Sequence, residues 1–155
     1  MPFNSERFRT ITLNSYLLLD SYSFLQAPLA ELVKDLSQNC KFDILAQVGL
    51  YKCGEEEKRQ LLLRKGVFPY EAAVSLQAVR EMTEIPPIEQ FYSRLTDTSI
   101  SKEDHEHAKR VFSIFSCSNL EDYLILYVLL DTALLAEVLL QFRETVQEEF
   151  NLDCW

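Results

Sequence analysis

The chain has 155 residues, 48% of them hydrophobic, with ten Phe but only three Gly and five Pro. One core is within its reach, and it has too little loop-forming residue for a disordered chain. A net charge of −9 counts against a free-standing nucleic-acid binder, whose phosphate contacts need a basic surface. It does not exclude a piece of a metal-dependent nuclease, whose site is built from carboxylates.

Phe8–Leu13 (FRTITL) is rich in β-formers, and Tyr16–Asp20 (YLLLD) is a short apolar run. With Asn14-Ser15 as the turn between them, they predict an N-terminal hairpin. Pro28 then fits the first turn of a helix. Leu29, Leu32, Val33 and Leu36 supply its amphipathic stripe, with a stop over Ser37–Lys41. Phe42–Tyr51 is mixed and gets no assignment. Beyond Gly54, three glutamates, three leucines, then Arg64, Lys65 and Gly66 have the order of helix start and stop signals. GVFPY (Gly66–Tyr70) reads as a connection, and Glu71–Met82 as a further helix. Pro86-Pro87 opens another helix, with Ile88, Phe91, Tyr92 and Leu95 on one side. Ser101 with Asp104 caps one that runs to about Ser116. His105 and His107 lie two apart, so on that helix they diverge and are expected on the surface rather than as a metal pair.

Ser118–Phe150 predicts one long, mostly buried helix. Ser118 and Glu121 have the spacing of a capping box, and nearly every residue from Tyr123 to Leu140 is apolar. This is also the one transmembrane candidate. Asp131, Thr132 and Glu137 within it, and the lack of a basic flank before it, point instead to a soluble core helix and no membrane partner. Tyr127 and Asp131 lie four apart, on one side of the helix and roughly 6 Å from each other. A buried acid needs a partner or a cation. The spacing alone is cheap, since Tyr16 and Asp20 repeat it on a predicted strand, where it separates side chains by roughly 13 Å. By itself it favours a core tyrosine and an aspartate paired with an arginine. Cys40, Cys53, Cys117 and Cys154 match no zinc spacing and read as reduced thiols, placing the chain in the nucleus or cytoplasm. The N-terminus lacks the apolar run of a signal peptide.

An ordered series of segments carries a resemblance. KGVFPYE (Lys65–Glu71), PPIEQFYSRL with Pro86-Pro87 and Phe91-Tyr92-Ser93, ISKEDHEHAKRV (Ile100–Val111) and YVLLDTALLAEVLLQFR, which holds Tyr127 and Asp131, follow one another. Together they resemble the protein-primed family B DNA-directed DNA polymerases of Maverick/Polinton-type transposable elements and linear plasmids, over most of residues 8–153. The resemblance implies a helix-rich α/β fold with about six helices. It would be a single partial domain spanning 1–155, from the ribonuclease-H-like 3′–5′ exonuclease region involved in DNA replication. Tyr127 and Asp131 fall on the family's third exonuclease motif. Asp131 would help hold Mg²⁺ or Mn²⁺, and Tyr127 would help orient the attacking water. Ser21, Tyr22 and Leu25 fall on an element that contacts single-stranded DNA and the terminal protein, with Tyr22 in place of the usual leucine.

Departures from the pattern limit what it implies. The first motif, Asp-x-Glu on a strand, has only Asp104-His105-Glu106 as a formal match, and that lies in a predicted helix. The second motif is missing upstream of the hairpin, and Asp20, at the hairpin's far end, reads as structural or site-flanking and not as that missing ligand. No Tyr-x-Asp-Thr-Asp of a nucleotidyltransferase palm is present. Such a fragment is expected to be inactive alone, with the hairpin packed near the Tyr127–Asp131 face and the apolar helix partly uncovered for want of its sheet. The competing expectation is an all-helical protein-interaction module without catalytic activity.

Overall fold

The structure is a computed structural model and describes residues 2–4, 7–8, 10–23, 25–36, 43–50, 52 and 55–153. The expected stop over Ser37–Lys41, Gly54, and the cysteines Cys40, Cys53 and Cys154 lie outside the described residues. What is described is helix-rich, with small antiparallel β pairs at the N-terminus.

Strands β1 (Pro2–Asn4) and β2 (Arg7–Phe8) form one pair, which the sequence reading had not assigned. Strands β3 (Thr10–Leu13) and β4 (Tyr16–Leu19) form the predicted hairpin. Its register runs from Thr10 opposite Leu19 to Leu13 opposite Tyr16, and Asn14 takes the left-handed conformation (φ 55°) that the tight turn needs. Every residue of β3 and β4 is exposed, including Leu13, Leu17 and Leu18. The expected packing of this hairpin near the Tyr127–Asp131 face is therefore not found. Among the described residues the pair makes no extensive contact with any helix, and its apolar side chains stay exposed.

Among the described residues six α-helices follow: α1 (Leu29–Leu36), α2 (Asp43–Gln47), α3 (Glu56–Leu62), α4 (Leu76–Glu81), α5 (Lys102–Ile114) and α6 (Leu120–Phe150). The stripe expected of α1 is present, with Val33 and Leu36 buried. Helix α4 starts only at Ser75, whose hydroxyl caps the Ala78 N–H, so the helix expected over 71–82 is about half as long. Past Pro86-Pro87 the chain makes a single 3-10 turn, Ile88–Phe91, instead of a helix. Phe91 is buried there, but Tyr92 and Leu95 are exposed, and Leu95 sits in a turn closed by a bridge between Ser93 and Thr98.

The histidines correct a second expectation. His105 is buried and its Nε2 donates to the Pro86 carbonyl at 2.8 Å. His107 is half-buried and its Nε2 donates to the Leu61 carbonyl at 3.1 Å. They do diverge, but each fastens α5 to a backbone carbonyl of a neighbouring segment. Ser101 caps α5 as predicted, receiving the Asp104 N–H at 3.0 Å. Asp104 also pairs with Arg64, and Glu106 with Lys109, so the rejected Asp-x-Glu match is committed to helix contacts.

Helix α6 organises the rest, because α1, α2 and α4 all pack against it. Its cap is displaced by one residue from the expected box. Asn119 receives the Asp122 N–H at 3.0 Å, and Asp122 receives the Ser118 N–H at 2.8 Å. Glu121 is drawn away by a bidentate pair with Arg80 of α4, at 2.8 and 2.9 Å. Burial is one-sided: Leu120, Tyr123, Leu126, Leu130, Leu134 and Val138 face inward, while Ile125 and Val128 are more than half exposed. Among the described residues α6 is long and apolar enough to cross a membrane by length and composition, yet it serves as the hub of a packed core.

Glu137 sits within that inward stripe. Its Oε1 accepts the N–H groups of Ile44 (2.6 Å) and Leu45 (3.2 Å), the first turn of α2. A residue more than ninety positions away thus caps the start of α2. Burial pushes the Glu137 carboxyl up, and the two N–H bonds oppose that shift. Glu137→Gln keeps an acceptor there and should change stability by less than about 1 kcal/mol. Glu137→Leu leaves two amides without a partner and should cost roughly 1–3 kcal/mol, read as a lowered midpoint in denaturant unfolding.

Candidate functional site

The loop Gly66–Tyr70 crosses α6 one residue after Lys65, and its composition explains the fit. Gly66 lies against the Tyr127 ring, where a Cβ would stand 3.3 Å from Cδ2, inside ordinary contact distance. The Val67 carbonyl accepts the Tyr123 hydroxyl at 2.8 Å. Phe68 is buried between the two tyrosines, stacked on Tyr123 with centroids 6.2 Å apart and 5.7 Å from Tyr127. Pro69 is fully buried. Tyr70 stays exposed, meets Phe68 and Tyr127 edge-on, and donates its hydroxyl to the Tyr127 hydroxyl at 3.0 Å.

The Tyr127 hydroxyl in turn lies beside the Asp131 carboxylate. Burial first, then the Tyr70 hydroxyl and the Asp131 charge, raise the Tyr127 pKa, so the phenol remains a proton donor. Its bond to Asp131 favours the ionised carboxylate, as does the charge of nearby Lys65. Burial outweighs both, and the Asp131 carboxyl lies above the usual range. Asp131 Oδ1 is shut off from solvent and, among the described residues, has no hydrogen-bond partner. Among the described residues no arginine pairs with Asp131, as the ordinary core reading of this spacing had required. The structure instead unites Tyr127 and Asp131 with Lys65 and Tyr70. Sequence reasoning gave neither of the last two a place in the site, although both lie in the quoted KGVFPYE segment. The readable signal was a glycine, a proline and two aromatics beside a lone lysine.

Ser21, Tyr22 and Leu25 are placed elsewhere. Ser21 and Tyr22 lie in a 3-10 turn, Ser21–Ser23, just past the hairpin, and the Leu25 N–H donates to the Ser21 carbonyl at 3.0 Å. Tyr22 is exposed, and Leu25 packs against the core. Asp20 accepts the Tyr22 N–H at 3.1 Å, which makes it a turn former. Among the described residues, no hydrogen bond or ring contact joins this turn to Tyr127 or Asp131.

An unpartnered carboxylate oxygen beside a neutral phenol and a lysine can accept a donor or take one position on a cation. A divalent ion in a hydrolytic site needs several oxygen ligands. Among the described residues, no three His, Cys, Asp or Glu side chains converge. The residues present do not fit a complete Mg²⁺ or Mn²⁺ site. Nothing among protein-family models, curated proteins or solved structures matches this chain.

Asp131→Asn tests how the acid is held. A carboxyl whose folded pKa is raised favours folding at low pH, and that contribution is lost as pH rises through the folded value. The asparagine variant should therefore be more stable than the native chain at neutral pH. The gain should be on the order of 1 kcal/mol, the low end for an unsatisfied buried group, because solvent reaches the rest of the side chain. Thermal melts should show the difference closing at acidic pH.

Proposed function

We propose that this chain is part of the 3′–5′ exonuclease domain of a protein-primed family B DNA polymerase, a ribonuclease-H-like domain that trims single-stranded 3′ ends. The observation that carries the reading is the buried, partnerless Asp131 Oδ1 beside the Tyr127 hydroxyl, covered by the Lys65–Tyr70 loop. A purely structural aspartate at such a position would be paired; a ligand-directed one is left open at a cost in stability. Tyr127 orients the carboxylate by donating to it, and Lys65 balances its charge.

In that role Asp131 would be one of several oxygen ligands to Mg²⁺ or Mn²⁺, the others lying outside this chain, and the ion would supply water activation and stabilisation of the leaving oxygen. One carboxylate does not complete the site, so the chain alone neither polymerises nor degrades DNA. The exposed rings of Tyr22 and Tyr70 offer stacking surfaces for unpaired bases, which any base satisfies. Ser21 and Leu25 shape the turn that presents Tyr22 to DNA or a terminal protein. The alternative, a non-catalytic interaction module, is favoured by one specific observation, the uncovered apolar side of α6.

Two measurements separate these readings. With 3′-labelled single-stranded DNA and Mg²⁺ or Mn²⁺, we expect salt-sensitive binding and no trimming. Tyr22→Ala and Tyr70→Ala should each weaken binding about tenfold, within the ~1–3 kcal/mol that a stacked base contributes. Robust trimming abolished by Asp131→Ala would refute the inactive-fragment assignment, and absence of any DNA binding would favour the interaction module. The coding DNA on either side should encode Asp-x-Glu upstream and Tyr-x-Asp-Thr-Asp downstream, intact or decayed. Flanks with neither would remove the polymerase assignment.

A further inference from the structure

The outward side of α6 carries a regularity of its own. Steps of four and three residues lead from Ile125 through Leu129, Thr132 and Ala136, and on through Leu139, Arg143 and Val146 to Phe150. That alternation averages the 3.5-residue period at which one helix keeps a seam facing another. The stripe runs about 38 Å along the helix. Ile125 and Phe150 are 60% and 64% exposed, Leu129 is exposed, and Leu139 and Val146 are half-buried. The chain has 24 acidic residues, yet none occupies this stripe. Arg143, its one charge, is neutralised by a bidentate pair with Asp153 at 3.0 and 2.8 Å.

The occupant follows from symmetry and charge. Read backwards, the stripe has the same spacing, so an antiparallel copy sets Ile125 against Phe150 and Leu129 against Val146. The same operation sets Thr132 against Arg143 and Ala136 against Leu139. Large apolar groups meet one another, the one guanidinium meets a hydroxyl-bearing side chain, and the smallest residue makes room for a leucine near the axis. A surface complementary to itself under a two-fold operation is the mark of an isologous contact. Two copies each carrying −9 can approach closely only where acids are absent. We propose that this chain forms an antiparallel homodimer through the outward face of α6, about a two-fold axis midway between Ala136 and Leu139.

The interface sits at the small end of specific contacts. A standard one uses roughly 800 Å² and 20–30 residues per partner, whereas the stripe with its flanking Val128 and Leu140 offers about half that many residues. Association in the micromolar range fits that size. Tyr127 and Asp131 lie more than a quarter of a turn from the centre of the stripe, so the seam does not run over them. Dimerisation and the exonuclease reading can therefore fail separately.

The test is light scattering on the full chain, with circular dichroism to check folding. The native chain should have twice the monomer mass. Ala136→Glu alone and Leu139→Lys alone should each be monomeric with unchanged helicity, and mixing the two should restore a dimer because position 136 of one copy faces 139 of the other. Should Ala136→Glu lose helicity, Leu129→Glu, at an exposed position, gives the same reading. A native chain monomeric up to about 100 µM, well above micromolar dissociation constants, overturns the proposal. So does a dimer unaffected by Ala136→Glu or Leu129→Glu. A mixture of the two charged variants that stays monomeric overturns the antiparallel arrangement.

Discussion

The structure depends on one helix face having to leave water. Leu120, Tyr123, Leu126, Leu130, Leu134 and Val138 recur at steps of three and four along α6, and each is buried. Short helices such as α2 and α4 are too brief to be stable alone. They exist because they cover this face, and burial of each large side chain there contributes roughly 1.5–3 kcal/mol before entropy is counted. Polar groups then fix how they sit. Arg80 on α4 grips Glu121 at the start of α6, and Glu137 caps α2 further along.

Two carboxylates on the same helix show how surroundings assign different roles. Glu137 and Asp131 both have their pKa raised chiefly by burial. Glu137 meets two amide N–H groups with one oxygen, so its charge closes a helix end and is used up in doing so. Asp131 meets one phenol and has an oxygen left over. A satisfied acid explains a fold, whereas an unsatisfied one asks for a ligand. The loop above Asp131 strengthens the contrast, because Gly66, Phe68 and Pro69 are packed down while Tyr70 keeps its ring in solvent.

Exposed apolar surface is the other theme. The β3–β4 hairpin is solvated on both faces, and α6 is solvated along its outward stripe. In an exonuclease domain, further strands would extend the hairpin and cover part of this surface. In a dimer, the helix stripe would be covered by its own copy. The two surfaces are distinct, so one partner need not account for both.

Much of the architecture was legible locally. The hairpin turn at Asn14-Ser15, the stripe of α1, the Ser101 cap and the length of α6 all follow from interactions within a few residues, and sequence order reports these directly. Tyr127 and Asp131 sharing a side is equally local, since it follows from helix pitch. What tertiary structure alone decided are pairings across long separations. His105 and His107 became anchors because Pro86 and Leu61 carbonyls lay within reach. Glu121 left its cap for Arg80, and Glu137 found the start of α2. Lys65 and Tyr70 joined the Tyr127–Asp131 corner because a glycine let their loop close over the ring. The same holds for the outward side of α6: apolar composition called for burial all round, but burial needs neighbours, and the described residues supply them on one side only.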